Sequence, residues 1–244
     1  DKGMYHYDGT HWSAVAVPIL NATAVIPSIA MDSATDGWAI VSSSPTQPLI
    51  HYTNGAWEEG NALALGTAPT DYLSQVTMLS ATDGWAVGSH DIAHYDGIHW
   101  SLLDNAITQR MDLNLTSVAF ASPDEGWAVG IVHTPGTPVA MGGIILHYTQ
   151  GTWTVAATPS ALLSSVVMVS PKEAWTGGVA TAGGTSVWHL VNGQWTSVSI
   201  PNDDGIVGMA MQSPTAGWAI SDNAIYQYHD GVWTAWHVRG PSEH

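Results

Sequence analysis

The chain has 244 residues, 45% apolar and 10% charged, enough nonpolar mass for a packed core and too little charge for a disordered polyelectrolyte. Four basic residues stand against twenty acidic ones, and the formal charge of −16 repels phosphate backbones and anionic bilayers, so no nucleic-acid partner is expected. The lack of Cys removes disulfides, thiolate zinc sites and cysteine nucleophiles, and no apolar run approaches the roughly eighteen residues of a transmembrane segment.

The first residues show neither an initiator Met nor a signal-peptide pattern, and the chain reads as a mature or excised piece of a longer protein. Residues 4–17 then carry Tyr5-His6-Tyr7-Asp8-Gly9 and, after a turn, Trp12. The same outline, HYxGxxW, ends again at Trp57, Trp100, Trp153, Trp195 and Trp233. Between these copies lies a second motif, GWA or a near variant, centred on Trp38, Trp85, Trp127, Trp175 and Trp218 and recurring every 42 to 48 residues. Two motifs alternating at a period in the forties mark a repeat array.

The copy at residues 76–100 shows the unit best. Val76 and Met78 alternate with polar neighbours as a short strand, and Ala81-Thr82-Asp83-Gly84 supplies a turn. Trp85-Ala86-Val87-Gly88 is a second strand, with bulky residues on one face and small ones on the other. Ile92-Ala93-His94-Tyr95 is a third, Asp96-Gly97 turns, and Trp100 opens the fourth. No segment has a helical period. The expected fold is therefore an all-β propeller of four-stranded antiparallel blades, each Trp filling space left by Ala and Gly on the next blade. Five copies of the first half-unit against six of the second predict six blades with the first incomplete, its inner strands lying upstream or supplied by a partner; five blades with a spare hairpin is the alternative. A single domain over 1–244 is expected, with 1–18 as the half-blade and 19–59, 72–103, 115–156, 162–198 and 205–238 as approximate blades.

The phrase DGWAVG, followed by an apolar strand and YDGxxW, resembles the photosystem II assembly and stability factor family of β-propellers and the wider group of BNR or Asp-box repeat proteins. The resemblance implies blades used as binding platforms in extracytoplasmic spaces. The doubled Gly usual in those hairpins is replaced here by Asp8-Gly9-Thr10, Asp96-Gly97-Ile98 and Asp230-Gly231-Val232, and an Arg-rich docking patch cannot be built from so few basic residues.

The chemistry expected is sparse. A sialidase, as BNR resemblance would suggest, needs three arginines, and this chain has Arg110 and Arg239 alone. Other glycosidases need two carboxylates across a sugar. Glu58, Glu59, Asp71, Asp91, Asp104, Asp112, Asp203 and Asp204 stand outside the repeat, but nothing in the sequence pairs them. His6, His51, His94, His147 and His189 recur at one repeat position on separate third strands, which favours structural hydrogen bonding over a metal ring, and no cofactor or metal is expected. Asp36 and Asp83, with Asp124 near the equivalent place, read as turn caps. Ligand contacts are expected where the repeats disagree, in residues 42–48, 60–71, 104–114, 133–143 and 181–185, with Glu58, Glu59, Asp104, Arg110, His133, Asp203 and Asp204 as candidates.

These readings predict a non-enzymatic extracytoplasmic binding or assembly platform that recognises a protein, secreted or at the cell surface. A carbohydrate-binding propeller is the alternative, then a glycoside hydrolase.

Overall fold

The computed structural model describes residues 4–17, 24–42, 49–60, 73–137, 139–181 and 184–237. Among these, strands and turns account for all regular structure. The first sheet has two strands, β1 (Met4–Tyr7) and β2 (Trp12–Val15). Five four-stranded sheets follow, each an antiparallel meander in chain order. They are β3 (Ser28–Met31), β4 (Gly37–Ile40), β5 (Leu49–Thr53) and β6 (Ala56–Glu59); β7 (Leu73–Ser80), β8 (Asp83–Gly88), β9 (Ile92–Tyr95) and β10 (Trp100–Leu102); and β11 (Leu113–Ser122), β12 (Glu125–His133), β13 (Ala140–Thr149) and β14 (Thr152–Ala157). The last two are β15 (Ala161–Ser170), β16 (Glu173–Ala180), β17 (Val187–Val191) and β18 (Gln194–Val198), then β19 (Gly208–Ser213), β20 (Ala216–Ile220), β21 (Ala224–His229) and β22 (Val232–His237). This is the pattern of a six-bladed β-propeller with an incomplete first blade. By packing, the chain divides into two compact units, Asp1–Ala86 with Ala93–Leu103, and Val87–Ile92 with Asp104–His244.

Turn chemistry sets the hairpins. Four of the third-to-fourth strand turns hold two residues with positive φ, Asn54-Gly55, Gln150-Gly151, Asn192-Gly193 and Asp230-Gly231, the geometry that matches strand twist in a two-residue hairpin. The other two use four residues closed by an aspartate. Asp8 Oδ1 accepts from the N–H groups of Thr10 and His11, both at 2.7 Å, and Asp96 Oδ1 from those of Ile98 and His99 at 2.9 and 2.8 Å. These N–H donors, with the Thr10 hydroxyl, hold the Asp8 carboxyl down to about 2.

The repeated hexapeptide divides its work differently from the sequence expectation. Its leading serine makes the turn: Ser33, Ser80, Ser170 and Ser213 accept through Oγ from the N–H two residues on. The acid two places before the Trp instead accepts from the third-strand histidine Nε2–H. The pairs are Asp36 with His51 (3.0 Å), Asp83 with His94 (2.9 Å), Glu125 with His147 (2.7 Å) and Glu173 with His189 (3.1 Å). Asp124 is therefore not the equivalent of Asp36 and Asp83; Glu125 holds that position, because the spacing to the Trp, not the residue type, places a carboxylate beside the imidazole. The same imidazoles lie against the repeat indoles: Trp38 on His51, Trp127 on His147 and Trp175 on His189, with ring centroids 4.3, 4.1 and 3.7 Å apart and planes within 13°. Trp85 meets His94 at a tilt.

Three of the indoles, Trp38, Trp127 and Trp175, then reach the next blade of their own unit. In the first unit Trp38 meets Tyr95 and packs edge-on against Trp100, within a core that includes Ile40, Leu49, Leu73 and Val76. In the second, Trp127 packs edge-on against Trp195, and Trp175 against Tyr228 and Trp233. Trp38, Trp85, Trp127 and Trp175 are buried, whereas Trp218 is 46% exposed. In that last sheet Gln227 stands opposite Trp218 where the others have histidine, and Ala216 replaces the acid.

Hydroxyl groups tie neighbouring first strands together. Ser28 Oγ accepts from Val76 N–H, Ser117 Oγ from Val166 N–H and Ser165 Oγ from Met209 N–H. Bulges after Leu115 and Leu163 turn Thr116 and Ser164 outward, and their hydroxyls donate to Leu163 O at 2.9 Å and Ile206 O at 2.5 Å.

Candidate functional site

Antiparallel meanders send the two kinds of connection to opposite ends of each sheet. The hexapeptide turn and the third-to-fourth strand turn share one end; the second-to-third strand loop and the link to the next sheet share the other. The segments that vary between repeats all belong to the second end. Residues 43–48 and 61–72, and with them Asp71, lie outside the described residues.

In the second unit this end can be followed side chain by side chain. After β10 the chain makes a compact turn over 104–110: Asn105 Oδ1 accepts from the N–H groups of Ile107 and Thr108, and Gln109 Nε2 donates to Asp104 at 3.0 Å. Arg110 then doubles back on Asp112, with Nε at 3.0 Å from Oδ1 and Nη2 at 2.7 Å from Oδ2, a bidentate fork. The guanidinium holds the Asp112 carboxyl below the usual carboxylate range, with His90 adding a smaller pull. His90 Nε2–H donates to Met111 O at 3.0 Å, and His133 N–H donates to Asp112 O at 2.7 Å. Thr134 N–H donates to Val139 O at 2.8 Å, and four segments, around 90, 104–112, 133 and 139, are thereby locked into one corner.

Further along the same end, Gly143 N–H donates to Pro159 O and Thr181 N–H to Ser160 O. Asp203 Oδ2 accepts from Ser186 N–H at 3.2 Å, and Tyr226 Oη lies 3.4 Å from Asp204 N and 3.5 Å from its Oδ2. Ile206 N–H donates to Gly178 O and Val207 N–H to Ile220 O. This continuous rim exposes Met111, Val139, Met141, Val179, Val207 and Ile220 beside the exposed Asp104, Asp203 and Asp204.

The structure thus brings Asp104, Arg110, Asp112 and the backbone of His133 together, and sets Asp203 and Asp204 further along the rim. Glu58 and Glu59 are not in a loop. They lie on β6 in the first unit, opposite His51 and Ile50, because alternation about the buried Trp57 continues through them. Among the described residues no group of three or more His, Asp or Glu side chains gathers to hold a metal ion. The exposed apolar side chains of the rim carry no signal in the sequence, where each is an ordinary Val, Ile or Met in or next to a strand end.

Arg110 offers one check on this corner. Asp112 has a lowered folded-state pKa, so its contribution is present above the unfolded carboxylate range and is lost as pH falls through the folded value. Replacing Arg110 with Met is expected to cost about 1 kcal/mol at neutral pH, discounted for the partly exposed pair, with the difference from the parent shrinking below about pH 4. Denaturation midpoints measured across pH would show it.

No protein-family model and no curated protein matches the chain. Solved structures do. A structure of YCF48 bound to D1 peptide is similar over 93% of this chain and 71% of its own, with a TM-score of 0.63 and 16% identity. YCF48 from Cyanidioschyzon merolae is similar over 93% of this chain and 76% of its own, with a TM-score of 0.66 and 17% identity. The resemblance to photosystem II assembly factors read from the motifs is thus matched at the level of fold. The expectation that the chain is not an enzyme has to be withdrawn. The same fold is shared with a gluconolactonase from Xanthomonas campestris, at TM-score 0.59 and 11% identity over 88% of this chain and 75% of that one. It is also shared with a luciferin-regenerating enzyme, at TM-score 0.55 and 12% identity over 89% and 77%. The physical reason is that propellers assemble their sites from separate loops, so a missing sequence motif does not remove catalysis.

Proposed function

We propose that this chain binds a protein partner on the loop-bearing end of residues 104–225. The observation that carries this reading is the rim itself, where Met111, Val139, Met141, Val179, Val207 and Ile220 stand exposed beside carboxylates, while the repeated Trp, His and acidic side chains are occupied with one another. Exposed apolar groups on a surface with this excess of acid suit a segment that pairs apolar side chains with Lys or Arg. A structure of similar fold, YCF48, holds a D1 peptide, which supports peptide capture as something such blades can do. An extracytoplasmic setting belongs to the same proposal, supported by the Cys-free, acidic composition, and is checked by fractionating cells and locating the chain with an antibody.

The experiment is a selection of short peptides on the intact chain, followed by affinity measurement by fluorescence anisotropy. Retained peptides should be basic and apolar. Their affinity should fall at least about tenfold in the double variant Val179→Asp, Val207→Asp, and stay unchanged in Ile98→Asp, which alters an exposed residue of a turn at the opposite end of its sheet. Selected peptides indifferent to the rim variant would defeat the reading. A carbohydrate ligand is the second reading; with four of the recurring Trp buried, it rests on the exposed indoles of Trp12, Trp218 and Trp236.

A further inference from the structure

One repeat carries an acid that the other four lack. The residue before the leading serine of the hexapeptide turn is Asp32 in the first copy and Leu79, Ala121, Val169 and Gln212 in the others. The N–H groups of Asp32 and Ser33 both reach the carbonyl oxygen of Asp36 at 3.3 Å, which closes the turn between β3 and β4 and brings the two acids together. Their side-chain carboxyls hydrogen-bond to one another. Asp36 Oδ2 is already taken by His51 Nε2 at 3.0 Å. Asp32 Oδ1 and Asp36 Oδ1 are shut from solvent, and no N–H group among the described residues donates to either. One carboxyl can hydrogen-bond another only through a proton, so the pair holds one.

The titratable groups around the pair come from three further strands of the same unit. His51 lies on β5, stacked on Trp38 at 4.3 Å, and Glu58 on β6 stands opposite it. In the next three sheets that place opposite the histidine belongs to Ser101, Thr154 and Thr196. Tyr95 on β9 is near enough to feel the pair: burial first, then the charges of Asp36 and Asp96, hold its phenol above the ordinary value. Apart from His51, every one of these neighbours is an acid or a phenol, and such surroundings favour keeping the proton. Burial, the hydrogen bond to Asp36 and the Asp36 charge, in that order, raise the Asp32 carboxyl above the usual carboxylate range, against a smaller pull from the N–H groups of Asp32 and Ser33.

We propose that Asp32 and Asp36 share one proton, carried by Asp32 and donated to Asp36, and that this proton is a pH-sensitive latch on the turn that bears Trp38. With the proton in place, Asp32 O–H donates to Asp36, whose other oxygen accepts from His51. That chain of bonds ends beneath the indole of Trp38, which seats against Tyr95 and Trp100. Without the proton, two carboxylates stand within hydrogen-bond reach and repel, so the turn opens or Asp36 leaves His51. In the unfolded chain Asp32 titrates at the ordinary value of 3.8, and in the fold it titrates higher. Its contribution to stability is therefore complete below that ordinary value and is lost as pH rises through the folded one. The latch is closed in mild acid and opens toward alkaline pH, the reverse of Asp112 at the rim. It lies in the first unit, and its test does not depend on the rim reading.

Carbon-13 NMR of the Asp side-chain carboxyls in the full chain, assigned by through-bond correlation, tests the latch directly. The Asp32 carboxyl carbon should titrate with a midpoint above 3.8. Asp36→Asn leaves Asp32 an amide in place of a carboxylate neighbour, and should bring that midpoint down toward the ordinary value. Urea denaturation gives a second reading. Asp32→Asn keeps a donor facing Asp36 at every pH, so its midpoint should lie closest to the parent's near about pH 3 and separate in the variant's favour as pH rises. Leu79→Asn, at the corresponding place in the next repeat, should shift the midpoint by the same amount at every pH. An Asp32 carboxyl that titrates at or below 3.8 overturns the proposal, as does a raised step found on Asp36 instead. Midpoints of the parent and Asp32→Asn that run parallel from about pH 3 to 8 overturn it as well. The NMR titration is read on the parent chain, so it decides the question even where a variant fails to fold.

Discussion

Replacing Trp175 with Ala is expected to destabilise the chain by about 4 kcal/mol, the range of a fully buried Trp truncated in a core that cannot collapse around the gap. Trp175 is 1% exposed. One face stacks on His189 at 3.7 Å, and the ring also meets Tyr228 at 4.8 Å and the edge of Trp233 at 5.6 Å. The substitution therefore opens a cavity shared by two blades and frees the His189–Glu173 pair from its cover. The indole N–H is buried without a hydrogen-bond partner among the described residues, so Trp175→Phe loses volume but no hydrogen bond and should cost only about 1–2 kcal/mol. Trp218→Ala, at the corresponding place in the last sheet, should cost about 2 kcal/mol, because nearly half its surface is already in water. Scanning calorimetry on the three variants tests the order. Equal losses for Trp175→Ala and Trp218→Ala would show that the inter-blade contact, and not the residue type, has been misjudged.

Gly178→Ala should cost about 3 kcal/mol despite adding one methyl. Gly178 lies opposite Leu163 at the bulge that turns Ser164 outward. An added Cβ would strike the carbonyl oxygen of Leu162 and lie 2.6 Å from both its carbonyl carbon and the Cα of Leu163. These are backbone atoms of a buried strand and cannot swing aside as a side chain would. Relief would require the bulge to move, and with it the Ser164 hydroxyl that donates to Ile206 O and the Gly178 carbonyl that accepts from Ile206 N–H. The loss should thus appear in denaturant midpoint and in faster amide exchange at Ile206. Gly126→Ala makes a useful comparison, since its Cβ meets the ring of Phe120, a side chain packed edge-on against Tyr148 and Trp153 and not main chain, and a cost of about 1–2 kcal/mol is expected there.

Much of the architecture is readable in the sequence. The Trp38 and Trp85 copies, the Asn54-Gly55 and Asp96-Gly97 turns, and the surplus half-unit at Tyr5–Trp12 are local patterns, and strand, turn and count follow from them. The acid at the repeat is ambiguous in sequence because a turn and an imidazole on the adjacent strand make the same demand: a carboxylate before Gly-Trp. Only the contact of Glu125 with His147, 22 residues on, shows which demand was met. The candidate site was legible only as a set of segments that do not repeat. Of its proposed residues, Arg110 proved to be spent on Asp112, and Glu58 and Glu59 proved to be strand residues.

By itself the sequence determined the blade: four short strands, the residues that turn them, the indole that marks each repeat and the surplus half-unit at Tyr5–Trp12. Those features depend on period, alternation and backbone preference within a few dozen residues, and repetition states them several times over. Tertiary structure alone decided which hydroxyls join neighbouring blades, which Trp stays in water and which apolar side chains stand exposed at the loop-bearing end. Each of those is a contact between segments 40 or more residues apart, such as Ser117 with Val166 at |i−j| = 49, or depends on what lies across a strand edge. No local pattern distinguishes a serine that bonds the next blade from one that faces solvent; only the position of the partner N–H does.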